Sequence, residues 1–291
     1  MKNKTMLFMN PASKSGKGKK NWKFFEGCNF DVKVTQNADD MAQSVRDFAQ
    51  NGEDLGGKTA VAVGGDGTIN MVLDAIMKSG KKVTLGVLYS GTSPDFCRFH
   101  NIPVKPKAAL ETLLSGRRRM IDICRITYAN GGVNYFASGC NIGLGADIAA
   151  GANKIRKYFG DLLGTFFAAV GAVLRSKKFE AGINFDGETK VFKNVIHVAI
   201  LKNNFMASGL HLNIDAKDDD GFLNVVVIEK LNLKSLLGIY KGKIPHGSYV
   251  RKCKSVEIKT VPAKLTEYDG DPRPAAPVKI ECLNKTLEII K

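Results

Sequence analysis

Through the first 122 residues of this chain, short apolar, β-branched runs alternate with segments of helical period. Lys4–Met9, Asp31–Thr35, Thr59–Val63 and Thr84–Leu88 read as strands. Helices are predicted over Lys17–Phe25, from an Asp39 cap through Met41, Val45 and Phe48 to Gln50, from Ile69 through Val72, Leu73 and Ile76, and over Lys107–Leu114. Met120–Ile126 is a strand leading out of this region. Strands and helices in such regular alternation specify a doubly wound, Rossmann-like α/β domain: a parallel sheet in the middle of three layers, with ligands bound beyond its carboxyl edge.

After residue 122 the helical period recedes. Val133–Ala137, Ala181–Phe185, Val195–Leu201, Leu223–Ile228, Val256–Thr260, Lys264–Tyr268, Val278–Glu281 and Leu287–Ile290 are predicted strands, interrupted by helices at Lys157–Ser176 and Leu233–Tyr240. A mainly β second domain follows, a sandwich or open barrel. The expected division is residues 1–122 and 123–291, with the last residues returning to the first domain. The longest apolar run, Leu162–Leu174, is too short to span a bilayer. No signal-peptide pattern is visible at the start.

The stretch with the strongest chemical content is Ala60-Val61-Ala62-Val63-Gly64-Gly65-Asp66-Gly67-Thr68-Ile69-Asn70, a strand, a glycine turn and a helix start. Glycines let the backbone approach a ligand closely, and a helix N-terminus offers free N–H groups to a phosphate. Asp66 would repel a bare phosphate, so its presence argues for a divalent cation arriving with the phosphates. Two other polar loops leave strands at the same edge: Asn10-Pro11-Ala12-Ser13-Lys14 with the Ser15-Gly16-Lys17-Gly18 that follows, and Gly91-Thr92-Ser93-Pro94-Asp95. Asp95 would bring a second carboxylate near Asp66, suited to metal binding or hydroxyl activation. Gly52-Glu53-Asp54-Leu55-Gly56-Gly57-Lys58-Thr59 matches the G-x-x-x-x-G-K-T phosphate loop in letters, but a helix precedes it and a strand follows. That order is the reverse of what the loop requires, and the segment reads as a helix-to-strand turn.

The formal charge is +15, and the first 25 residues carry seven lysines and no acid. Such a balance suits phosphate-bearing partners, nucleotide or anionic membrane; no nucleic-acid-binding motif accompanies it. The six cysteines and four histidines show no metal-ligand or redox spacing, as expected of reduced thiols in a cytosolic protein. Lys217-Asp218-Asp219-Asp220-Gly221-Phe222 is an acidic turn before a strand, either a solvated loop or a cation site.

These motifs together resemble the bacterial diacylglycerol-kinase-like lipid kinases, relatives of sphingosine and ceramide kinases. The resemblance runs from Asn10-Pro11 through Gly64–Asn70, Gly91-Thr92 with Asp95-Phe96 and Arg98, Ile121-Asp122, Gly143–Asp147 and Asp219-Asp220-Gly221 to Asp269-Gly270-Asp271. The Gly-Gly-Asp-Gly-Thr loop alone is shared with NAD kinases and is similar to that of phosphofructokinase. The family implies an active site in a cleft between an ATP-binding domain and a β-sandwich-like lipid domain. It implies ATP held by Asn10, Pro11, Ala12, Ser13, Lys14, Thr35, Gly64, Gly65, Asp66, Gly67, Thr68, Asn70 and Thr92. Asp66 would serve the Mg-ATP phosphates and Asp95 would lie near the lipid hydroxyl. Asp271, with Asp269 beside it, would take the proton. The acidic turn would be a structural Mg2+ site made by the carbonyls of Lys217 and Phe222 and the side chain of Asp220, with Asp122 reaching the ion through water.

The activity implied is transfer of the γ-phosphoryl group to the hydroxyl of diacylglycerol or a related lipid, by a cytoplasmic protein resting peripherally on the anionic inner face of the membrane; the resemblance also points to a homodimer. Two departures mark the chain. Pro94 stands where the family has Asn, removing an amide and a backbone N–H, and Asp271 stands where the family has Glu, one methylene longer. They motivate an alternative, a catalytically degenerate lipid- or nucleotide-binding protein of the same fold. NAD kinase is the other alternative, carried by the glycine loop alone.

Overall fold

The computed structural model of the protein describes residues 4–11, 30–51, 57–144, 177–206, 210–268 and 271–291. The chain divides into two units, Met1–Ile123 with Lys285–Lys291, and Cys124–Asn284.

In the first unit, β1 (Thr5–Met9) pairs in parallel with β2 (Asp31–Val34) and with β3 (Lys58–Gly64), and β3 pairs in parallel with β4 (Val83–Tyr89). The end of β18 (Val278–Ile290) continues the sheet beside β4, with Ile289 opposite Leu85. Side chains alternate between faces along a strand, and here both sets are apolar because helices cover both faces. Leu7, Met9, Val61, Val63, Leu88 and Ile290 face α4 (Pro106–Ser115), packing on Ala109 and Leu113. Phe8 points the other way and meets Phe48 of α1 (Ala38–Gln50) edge to face at 5.7 Å. Next to α1 lies α2 (Asp66–Ser79), whose Ile69, Val72, Leu73 and Ile76 are buried. α3 (Asp95–His100) is one short helix between β4 and α4.

The cap of α1 is Asn37 rather than Asp39. Asn37 has extended backbone and its side chain accepts from Asp40 N at 2.9 Å; Asp39 and Asp40 fall in the first turn, where their charge suits the helix dipole. At the other end, Lys58 Nζ donates to the carbonyls of Phe48, Ala49 and Asn51. The lysine of the apparent G-x-x-x-x-G-K-T pattern therefore closes the carboxyl end of a helix.

The second unit pairs two largely antiparallel sheets. In one, the first part of β18 runs beside β15 (Ser255–Val261), then β8 (Phe179–Phe185) and β9 (Glu188–Val195). β5 (Arg118–Tyr128) pairs with β6 (Val133–Phe136) in this sheet. The other has the order β14 (Tyr249–Cys253), β13 (Leu223–Ile228), β10 (His197–Leu201), β7 (Gly139–Gly143), β16 (Leu265–Tyr268), β17 (Asp271–Ala275). Ile183, Phe185, Val256 and Ile258 from the first sheet share a core with Ile142, Val198, Val225 and Val227 from the second. Alternation sends Val226 and Ile228 to the opposite face, where they pack with Ala199, Leu201, Leu212 and Ile239 of α5 (Leu233–Tyr240). This is a β-sandwich-like domain. A short pair, β11 (Phe205–Met206) and β12 (Leu210–His211), stands apart.

The helices expected over Lys17–Phe25 and Lys157–Ser176, and the apolar run Leu162–Leu174, lie outside the described residues. Among the described residues no helix is long and apolar enough to cross a membrane. Val278–Glu281 and Leu287–Ile290, expected as two strands, belong to one, with Lys285 at φ 48° where the strand leaves the second unit for the first.

Candidate active site

The parallel order of β2, β1, β3 and β4 brings four chain exits to one edge of the first sheet. Asn10 follows β1, Thr35 follows β2, Gly65 follows β3 and Ser90 follows β4. Backbone bonds tie them together: Asn10 N donates to Val63 O at 3.2 Å, Thr35 N to Met9 O at 3.0 Å, and Ser90 N to Gly64 O at 2.8 Å. Side chains add to this. Thr35 Oγ1 donates to Met9 O at 3.0 Å, and Asn10 Nδ2 donates to Thr68 Oγ1 at 3.2 Å. Thr35, Thr68 and Asn70 are all buried.

The glycines are explained by close approach. A Cβ on Gly91 would stand 2.6 Å from Gly65 Cα and 2.5 Å from the Tyr89 hydroxyl, and one on Gly64 would stand 2.3 Å from Thr68 Oγ1. Gly67 differs, since a Cβ there would meet nothing within 4 Å. Its face of the loop is open, at the first turn of a helix whose N–H groups and dipole suit phosphate.

Asp66 sits in the same turn. Its Oδ2 accepts from Asp95 N at 3.1 Å, and Asp66 thereby caps α3, whose preceding residue Pro94 has no side-chain acceptor to offer. Its Oδ1 is shielded from solvent and has no hydrogen-bond partner among the described residues. Burial, and next the negative charge of Asp95, push the Asp66 carboxyl up to about 7; the N–H groups of Asp95 and Phe96 and the charge of Arg98 pull the other way. Asp95 is itself buried, with Oδ1 accepting from Ser93 Oγ at 3.0 Å and ion-paired to Arg98 Nη1 at 3.3 Å. Burial and the nearby Asp66 charge raise the Tyr89 phenol and the Cys97 thiol, so both are neutral at physiological pH. A carboxylate oxygen left without a donor, beside a second acid, fits a divalent cation that takes one or two protein carboxylates and completes its shell from phosphates and water. Among the described residues no group of three or more His, Cys, Asp or Glu could hold a metal unaided.

Two family models account for nearly all of the chain. The diacylglycerol kinase catalytic domain matches residues 4–126, and the YegS C-terminal NAD kinase beta sandwich-like domain matches residues 138–291. The chain belongs to the diacylglycerol-kinase-like lipid kinase family. A diacylglycerol kinase of Staphylococcus saprophyticus is 26% identical over 242 residues, covering 80% of this chain and 75% of the relative. A Klebsiella pneumoniae protein named probable lipid kinase YegS-like is 36% identical over 114 residues, 39% of this chain and 37% of that one. The crystal structure of a diacylglycerol kinase from Bacillus anthracis superposes with a TM-score of 0.71 at 20% identity, covering 98% of this chain and 96% of the other, which is a likeness of fold. Kinase and NAD-kinase-like domains imply use of a nucleotide.

In this member of the family, Asn10, Pro11, Thr35, Gly64, Gly65, Asp66, Gly67, Thr68, Asn70, Thr92 and Asp95 all lie on the exits or the helix start just described. Ala12, Ser13, Lys14 and Asp269 fall outside the described residues. Asp271 is described by its backbone, as the first residue of β17, opposite Tyr268. Asp122 is buried in β5 and accepts from Lys285 N at 2.8 Å. Asp220 and Phe222 are close together, Phe222 N donating to Asp220 Oδ1 at 3.1 Å. Tyr89 and Ser93 were not singled out from the sequence. Tyr89 closes an apolar strand and gives no pattern of its own, whereas Ser93, two residues before an acid, carries the usual sign of a local hydroxyl–carboxylate bond.

Proposed function

We propose that the chain is an ATP- and Mg2+-dependent lipid kinase that moves the γ-phosphoryl group onto a lipid hydroxyl, with diacylglycerol or a related lipid as acceptor and a phosphatidic-acid-type product. The observation that carries this reading is Asp66: a shielded carboxylate with one oxygen lacking a donor among the described residues, in a glycine turn at a helix N-terminus. Asp66, with Asp95 beside it, would hold the Mg2+ that comes with ATP. That ion supplies charge neutralisation on the phosphates. The open face at Gly67 would admit the phosphates to the N–H groups of α2, while the Asn10–Thr68 bond fixes the spacing of the two loops around them.

Asp95 is held by Ser93 and Arg98, an arrangement that suits positioning an acceptor. Proton removal from the lipid hydroxyl falls to Asp271 in this reading, a step typically worth about 10²–10⁴-fold. Peripheral contact with an anionic surface is part of the proposal. The edge strand β9 supports it, with Val191 55% exposed between Lys190 and Phe192-Lys193.

The test is transfer of labelled γ-phosphate from Mg-ATP to mixed micelles of diacylglycerol, monoacylglycerol, sphingosine, ceramide, phosphatidylglycerol or undecaprenol, with NAD alongside. A labelled lipid is expected, and Asp66→Asn should abolish it. No labelled lipid from folded protein that binds ATP would overturn the proposal. It would favour the catalytically degenerate binder, the reading supported by Pro94 at the cap of α3. Label on NAD alone would make the chain an NAD kinase.

A further inference from the structure

The acidic turn of the second unit is the place where the family resemblance and the geometry part. Lys202, at the end of β10, is 2% exposed, and its ammonium points into the turn: Nζ donates to Asp220 Oδ1 at 2.9 Å and to Phe222 O at 3.0 Å. These are two of the three oxygens that the resemblance assigns to a structural Mg2+. The other carboxylate oxygen of Asp220 is ion-paired with Lys252 Nζ at 2.8 Å, and Lys252 also reaches Asp215 Oδ2 at 3.0 Å. Burial works against the Asp220 charge, but Lys252, Lys202 and the Phe222 N–H together hold its carboxyl below the ordinary range.

A divalent cation does not fit this arrangement. Mg2+ demands its oxygens at about 2.0–2.1 Å and Ca2+ at about 2.3–2.6 Å. An ion at either distance from both oxygens would press against an ammonium already hydrogen-bonded to them, with like charges in a shielded site. Burying an ammonium is costly unless its donors find acceptors, and the Asp220 carboxylate and the Phe222 carbonyl take two of the three.

We infer that the Lys202 ammonium replaces the structural divalent cation in this chain, tying the acidic turn to the end of β10. The second unit then needs no metal to fold, and any requirement for Mg2+ belongs to the nucleotide alone. Lys217 remains in the turn as an exposed residue, and Asp122 remains engaged with the Lys285 backbone. Nothing at residues 202 to 222 in sequence order announces this. Lys202 follows an apolar strand and carries no motif of its own.

The test uses the full chain without nucleotide or lipid, so its outcome is independent of the kinase reading. Wild-type protein, desalted after exposure to Mg2+, should retain no stoichiometric Mg2+ or Ca2+ by elemental analysis and should melt at the same temperature in excess EDTA as in millimolar Mg2+. One retained ion per chain, or a melting temperature lowered by EDTA, would overturn the inference. Lys202→Met keeps the apolar stem and removes the charge. It should melt several degrees lower in EDTA and recover part of the loss as Mg2+ or Ca2+ is added, a dependence absent from wild type. A Lys202→Met protein as stable as wild type in EDTA would also overturn it, and should the variant fail to fold, the two wild-type measurements decide.

Discussion

Replacing Asp66 by Asn should make the protein more stable while removing its activity, and the gain should depend on pH. The Asp66 carboxyl lies at about 7 in the folded chain against an ordinary 3.8, with burial as the main cause. At 1.36 kcal/mol per pH unit, a displacement of that size corresponds to about 4 kcal/mol when the group is fully ionised. Partial exposure and local relaxation reduce this, so about 1–3 kcal/mol is expected. The sign follows from proton binding. Below pH 4 the group is protonated in both states and costs nothing. As pH rises from 4 to 7 the unfolded chain ionises freely and the folded one is penalised for doing so, and above 7 the penalty is complete. Asn cannot ionise, yet its oxygen can still accept from the Asp95 N–H. In EDTA without nucleotide, thermal unfolding at pH 8 should therefore show the Asn variant higher by roughly 4–12 °C, at about 4 °C per kcal/mol for a unit of this size. Near pH 4 the two proteins should converge. A difference that is constant from pH 4 to 8, or a variant less stable than wild type at pH 8, would refute the electrostatic account of this site.

Gly91→Ala should cost about 1–3 kcal/mol, because its Cβ would stand 2.6 Å from Gly65 Cα; an unchanged melting temperature would show that the loops do not meet there. Gly67→Ala should instead raise stability by up to about 1 kcal/mol through helix propensity, with a measured loss of nucleotide affinity because the open face is narrowed. Lys58→Met should cost about 1 kcal/mol by uncapping α1 and leave ATP binding by titration calorimetry unchanged; a lost ATP site would restore the phosphate-loop reading of residues 52–59. Burial holds the His197 imidazole down at about 4, so its contribution to stability is complete above pH 6.5 and is lost as pH falls toward 4. His197→Gln should flatten that part of the acid-unfolding curve, and an unaltered curve would assign the acid sensitivity to other groups.

What could be read in the residues depended on burial. Leu223–Ile228 reads as a strand to the residue, because all six of its side chains are buried and only Asn224 is polar among them. β9 was missed for the opposite reason. As an edge strand it buries only Phe192 and Val195 of Glu-Thr-Lys-Val-Phe-Lys-Asn-Val, so its period carries no signal. β14 hides in the same way, and β7 behind two glycines. β18 looked like two strands because its middle, Asn284-Lys285-Thr286, is exposed as it passes from one core to another. At the candidate site the acids and glycines were legible by type and spacing. That Asp66 Oδ1 would lack a donor among the described residues was not, since this depends on where the next loop places its amides. The Lys202–Asp220 pair, 18 residues apart on two strand ends, was equally hidden.

The path of β18 has a consequence for how this chain is made. β4 is synthesised by residue 89, but the strand that completes its free side comes from residues 285–291, whose end is also bonded to Arg117 through paired Lys291 backbone contacts. Translation proceeds at about 5–20 residues per second, so the roughly 200 intervening residues take about 10–40 s. During that interval the nascent first unit is begun but unfinished, and the hydrogen-bonding edge of β4 is open to any other extended segment, including the same edge on a neighbouring ribosome's product. A message cut short before codon 285 would yield chains fixed in that open-edged condition. Closure of the nucleotide-type unit therefore waits on a strand made roughly 200 residues after β4, so a segment distant along the chain acts as a checkpoint for the domain that precedes it.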